Sequence, residues 1–130
     1  MRRDGGPEDL LRTADALLSR ADPATAGLWP RASAILALQA LESAVRLLWK
    51  KHALAFDACP MRAQLLCLGT YLGDGSVAAR TSHAWSALER ACHHHAYELA
   101  PTAAELQAWF SVVAELVGRV ASDRPEDERR

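Results

Sequence analysis

The stretch Pro30-Arg-Ala-Ser-Ala-Ile-Leu-Ala-Leu-Gln-Ala-Leu-Glu-Ser-Ala-Val-Arg-Leu-Leu-Trp-Lys-Lys-His-Ala-Leu54 decides the fold class. Ile35, Leu38, Leu41, Val45 and Leu48 recur at helical spacing, and Leu36, Ala40, Ala44 and Leu47 form a second stripe beside the first. Alternation of period two is absent, so the segment predicts one long helix rather than strands. Its apolar arc is wider than a surface helix needs, so it predicts contact on more than one side, as a central helix or as one that also serves a dimer interface. Arg46, Lys50 and Lys51 fall in its C-terminal half, where the helix dipole favours cations.

Working outward, the same periodicity returns on both sides. Pro7 to Arg20 predicts a first helix, with Pro7 suited to a helix start and Glu8 and Asp9 at the positive end of the dipole. Leu10, Leu11, Ala14, Leu17 and Leu18 make its apolar stripe. Ala21–Trp29, with Asp22-Pro23 and Gly27, reads as a connection. Phe56 to Pro60 breaks the pattern, and Met61 to Leu72 predicts a shorter apolar helix. Gly73-Asp74-Gly75 is a turn in which Asp74 or Ser76 caps the next helix, expected from Val77 to His93. Pro101 disfavours helix in the residue before it. Thr102-Ala-Ala-Glu105 has the spacing of a capping box, and a last helix is expected from there to Val120.

These segments predict an all-α fold, an up-and-down antiparallel bundle of four to five helices joined by short connections. We expect a disordered leader over 1–6, a single domain over 7–121 and a disordered charged tail over 122–130. The chain has 130 residues, enough to bury a sizeable core without disulfides or structural metal. Half of the residues are hydrophobic and 24% are charged, a globular balance. The net charge of −1 excludes a strong overall electrostatic grip on nucleic acid, although a local basic cleft is compatible with it. Arginine supplies nearly all the basic side chains, which together with abundant alanine points to a GC-rich genome. Cys59, Cys67 and Cys92 form no CxxC pair and read as reduced, mostly buried thiols of a cytoplasmic protein. The N-terminal residues lack the apolar run of a signal peptide. No window approaches 18 uninterrupted apolar residues, so no membrane association is expected.

Chemistry concentrates in Glu89-Arg-Ala-Cys-His-His-His-Ala-Tyr-Glu98. Three adjacent imidazoles on one helix point about 100° apart and do not converge on one metal. A zinc site from Cys92, His93 and His95 with Cys59 or Cys67 would need ligands from separate elements, and we expect no metal and no cofactor. Arg90 and His95 make a different pair. If the helix unwinds near His95, the imidazole reaches the guanidinium. The histidine then moves a proton to or from a 2′-hydroxyl or leaving oxygen, and an unperturbed imidazole titrates near neutrality. The arginine holds the phosphate bidentately and stabilises charge on its oxygens. The same two residue types also occur at a helix C-terminus for the dipole alone. Trp29, Trp49, Trp85 and Trp109 can stack bases, but at helical spacing they read first as core. His52 and His83 read as surface or partly buried structural histidines.

Arg90-Ala-Cys-His-His-His95 on the penultimate helix, followed by Ala-Tyr-Glu-Leu-Ala-Pro and a final amphipathic helix, resembles the HEPN superfamily (higher eukaryote and prokaryote nucleotide-binding domains). The long helix around Ala34–Trp49 is similar to that family's opening helix, and the resemblance spans residues 31–120. It implies a helical bundle that often dimerises, with the Arg and His motifs of two protomers lining one cleft that cleaves RNA without metal. On that basis Arg90 and His95 are the expected catalytic pair, with His94 and Tyr97 as substrate-binding residues. The expected partners are a second copy of the chain, RNA or a nucleotide, and an antitoxin-type protein, as for a stress or toxin-type ribonuclease. Active members carry a polar residue where this chain has Ala91. The alternative is a non-catalytic bundle of the same fold that binds a nucleotide or a protein partner.

Overall fold

The computed structural model describes residues 6–19, 29–52, 55–93 and 101–122. The expected leader and tail fall outside these, apart from Gly6 and Ser122. Six α-helices lie among the described residues: α1 (Pro7–Ser19), α2 (Trp29–His52), α3 (Met61–Leu66), α4 (Leu68–Leu72), α5 (Gly75–Cys92) and α6 (Ala103–Ser122). A 3-10 turn at Phe56–Ala58 joins α2 to α3, and no strand occurs among the described residues. The fold is all-α, as the periodicity requires.

The long helix α2 is the hub, packing against α1, α6, α5 and α3. Ala34, Ala37, Ala40, Leu41, Ala44, Val45, Leu48 and Trp49 are all buried. Four alanines on this surface keep side chains short and let the neighbouring helices approach closely. Most of its apolar arc is thus covered inside the monomer. The stripes are also rotated from the expected ones: Ile35 and Leu47 are each 38% exposed. By length and composition alone, Pro30–His52 contains an 18-residue stretch apolar enough to cross a membrane. Half of that stretch is buried within the protein, as in a core helix.

The other helices close around α2 with identifiable fastenings. Ala14 is fully buried, and the Ser33 hydroxyl donates to its carbonyl at 3.4 Å. Leu106, Phe110, Val113, Leu116, Val117 and Val120 form the inward stripe of α6. Lys51 Nζ donates to the Val120 carbonyl at 2.9 Å, satisfying one acceptor that the end of α6 leaves open. Gln64 is fully buried; its Nε2 donates to the carbonyls of Asp57 (3.1 Å) and Cys59 (2.6 Å), which fixes the 3-10 turn against α3. The expected helix over Met61–Leu72 is instead two pieces. Cys67, at φ −92° and ψ −4°, sits in the bridge region between them, where the regular ladder breaks.

Both predicted caps form. Thr102 N donates to Glu105 Oε1 at 3.0 Å and Glu105 N to Thr102 Oγ1 at 3.1 Å, a reciprocal capping box. Asp74 Oδ1 accepts from the amides of Ser76 (3.0 Å) and Val77 (3.2 Å) at the start of α5, while Oδ2 accepts from Arg119 Nη2 at 2.9 Å. Gly73 at φ +65° is the left-handed residue that ends α4. Arg80 grips Glu115 through two bonds of 2.7 and 3.1 Å, so two ion pairs link α5 and its cap to α6.

These contacts predict an acid limb of stability. The Val77 amide, followed by Ser76 and Arg119, holds the Asp74 carboxyl below its ordinary value, and Arg80 does the same for Glu115. Folded-state values that are depressed mean that the native state binds fewer protons, so the contribution is complete above the ordinary carboxylate range and is lost as pH falls through the depressed values. The melting temperature is therefore expected to fall below about pH 4. Asp74→Ala should lower it at neutral pH and flatten the acid limb. An unchanged limb in Asp74→Ala combined with Arg80→Ala would remove these carboxylates from the account.

Candidate functional site

Residues 86, 89, 90 and 93 follow one another at helical spacing, and this decides what the C-terminal half of α5 presents. Ser86, Glu89, Arg90 and His93 share a groove of about 340 Å³ with Trp85 and with Arg62 from α3. The opposite face of the same turns is core: Leu88, Ala91 and Cys92 are buried. Ala91 faces the core, so a side chain at that position does not line the groove. Arg90 and His93 are exposed and free to meet a solute.

α5 ends at this groove. His93 is the C-cap, at φ −100° and ψ 33°, and its amide donates to the Glu89 carbonyl at 3.1 Å. The chain thus leaves helical geometry immediately before His94. Of the expected site residues, Arg90 lies in the groove; His94, His95 and Tyr97 lie outside the described residues.

Two further features of the groove come from the packing. The Trp85 indole N–H donates to Glu42 Oε2 of α2 at 3.0 Å, which pins the half-buried ring. Arg62 Cζ stands 5.9 Å from the centre of that ring, at the outer edge of cation–π range. Neither contact is readable from α5 alone. The i, i+3, i+4 and i+7 relation of Ser86, Glu89, Arg90 and His93 was the available signal, and it places His93 with Arg90.

No cysteine lines this groove, and against the expectation of mostly buried thiols only Cys92 is buried, with Cys59 half-buried and Cys67 exposed. Burial, and then Glu42 and Glu89 against the opposing effect of Arg31, pushes the Cys92 thiol up to about 11, so it stays protonated at neutral pH. Cys92 turns into the core while His93 faces the groove. Among the described residues no three His, Cys, Asp or Glu side chains group to hold a metal ion.

Comparison with family models, curated proteins and solved structures yields no match. The site is therefore argued from its own residues. A larger groove among the described residues, about 740 Å³ between α1 and α6, is lined by Leu11, Phe110, Val117 and Gly118 among others. It is more apolar than the α5 groove, contains neither histidine nor cysteine, and shares no residue with it. Size favours that groove, which also carries Glu8, Arg12 and Asp15; the smaller one is distinguished by two arginines together with a histidine.

Proposed function

We propose that this chain is a HEPN-like up-and-down antiparallel helical bundle of four to five helices that binds RNA and cleaves it without metal. The observation that carries the reading is the groove at the end of α5, where Arg90, Arg62 and His93 meet and from which the chain runs directly into His94-His95. Arg90 holds the scissile phosphate and stabilises the charge that develops on its oxygens. One His95 imidazole takes the proton of the 2′-hydroxyl as its oxygen attacks phosphorus. The bond to the 5′-oxygen breaks, that oxygen receives a proton from a second imidazole, and a 2′,3′-cyclic phosphate remains. His94 and Tyr97 bind the substrate. The second imidazole belongs to a symmetric partner copy, which makes the cleft a property of a homodimer. A toxin-type role, in the cytoplasm and with an antitoxin-type protein covering the cleft, fits such an enzyme.

The test is a gel with labelled single-stranded RNA. Cleavage to products with a cyclic-phosphate end, in excess chelator, is expected. A requirement for added metal would reject the mechanism.

A second reading rests on Ala91 and Glu89. Position 91, polar in active relatives of the resembled family, is core here, and Glu89 places a carboxylate beside the arginines. These favour a module that holds a nucleotide without cutting it. In that case the wild type leaves RNA intact, and Arg90→Ala weakens binding and lowers its salt sensitivity.

A further inference from the structure

The groove contains more than phosphate chemistry requires. A phosphate site is served by Arg62, Arg90 and His93; a carboxylate and a fixed indole are not part of that requirement, and Glu89 opposes an anion. A nucleobase accounts for both. We infer that the groove between α3 and α5 is a guanine-recognising subsite, in which the base stacks on Trp85 and its Watson–Crick edge meets Glu89. The inference rests on the reading that this end of α5 receives RNA or a nucleotide, and it adds which base is held and by which residues.

The stacking platform is preorganised. Glu42 Oε2, 3.0 Å from the indole nitrogen, fixes the ring from the central helix, so a base that stacks on it does not also have to order it. Arg62, exposed and 5.9 Å from the ring centre, is within reach of a stacked base or the adjoining phosphate. The volume of about 340 Å³ lies at the small end of ligand-sized pockets, which span roughly 300–1,000 Å³.

Base choice follows from Glu89, one helical turn beyond Trp85 in the same groove. An ionised carboxylate accepts and does not donate. Guanine alone among the four bases presents two adjacent donors, N1–H and N2–H, on its Watson–Crick edge, matching two carboxylate oxygens bidentately. Adenine and cytosine each offer an amino donor beside a ring-nitrogen acceptor, and uracil offers one N–H between two carbonyls. Each of those three sets an acceptor against a carboxylate oxygen. Ser86 donates or accepts and does not discriminate. Arg90 and His93 remain for the phosphate.

Free guanine nucleotide and unpaired guanosine in RNA share this chemistry, and the experiment separates them. Full-length protein is titrated with GMP, IMP and AMP, and with short 2′-O-methyl oligonucleotides carrying one G or one A, which cannot be cleaved. GMP should bind about tenfold or more tighter than AMP, the range of one good bidentate base contact. IMP, which lacks the N2 amino group, should fall between them. Glu89→Gln should abolish the preference for G over A. Trp85→Leu should weaken binding of every base about tenfold, and Trp85→Phe should restore it, each with an unchanged helical spectrum. A G-oligonucleotide bound more tightly than GMP assigns the site to RNA; equal binding assigns it to the free nucleotide. Equal affinity for G and A, a preference that survives Glu89→Gln, or no binding of any nucleotide would overturn the inference. Its failure is distinguishable from failure of the cleavage mechanism. RNA cleavage without base preference removes the guanine subsite alone, and guanine binding without cleavage removes the catalytic reading alone.

Discussion

His95→Ala is expected to reduce metal-independent RNA cleavage by about 10²–10⁴-fold, the usual contribution of a positioned proton-transfer group. His95 follows the capped end of α5 by two residues, and Arg90 stands on the last turn before it. Arg90→Ala should cost about 10²–10³-fold, the scale of losing a donor aimed at a developing oxyanion. The Arg90 side chain is kept out of the core by the geometry of α5, whose buried positions near it are Leu88, Ala91 and Cys92, so the fold should survive Arg90→Ala. Single-turnover rates on labelled RNA, with thermal melts of each variant, measure both effects. Cleavage that persists in His95→Ala would reject His95 and transfer its role to His94. Removing His93 provides a contrast: as a groove residue proposed to meet the phosphate, it should affect substrate affinity more than the chemical step.

Trp49→Ala is expected to destabilise the protein by about 3–5 kcal/mol, the cost of emptying a large aromatic site in a core. Trp49 is only 1% exposed on α2 and lies edge-on to Phe56 at 4.6 Å and to Tyr71 at 4.8 Å. Those two rings belong to the 3-10 turn and to α4, so a single side chain joins the hub helix to the irregular connection that follows it. Nothing small can fill the volume without moving both. Urea unfolding monitored by circular dichroism would report the loss. A change below about 1 kcal/mol would show that the connection relaxes into the space and that Trp49 is not its anchor.

The helices were legible because their signals are local. The stripe of Leu106, Phe110 and Val113, the Thr102–Glu105 box and the Asp74 cap each depend on residues within a few positions, and each forms as its spacing dictates. The use of the α2 surface was less legible. Periodicity reports that an arc is apolar, not what covers it, and here α1, α5 and α6 cover most of it while Ile35 and Leu47 stay exposed. The interruption at Cys67 was also hidden, because a bridge-region residue requires neither glycine nor proline.

The site divides along the same line. Arg90 and the helix end near His95 were readable from α5, since both depend on one segment. Arg62 and Glu42 were not, because they reach Trp85 from α3 and α2 across 23 and 43 positions of sequence. Trp85, grouped with core tryptophans by spacing, is half-buried with a ring edge fixed and groove space beside it. An aromatic residue at helical spacing and one that lines a groove leave the same sequence pattern; only the neighbours distinguish them.

The central claim is that Arg90 and His95 act on one phosphate. A crystal structure of the protein with a short 2′-O-methyl RNA, in which the attacking hydroxyl is blocked, measures this directly. The account predicts one phosphate with Arg90 and His95 both within hydrogen-bond reach of its oxygens or of the blocked 2′-oxygen, in a cleft shared by two copies of the chain. A phosphate bound away from Arg90, or a His95 imidazole turned from the phosphate that Arg90 holds, would contradict it.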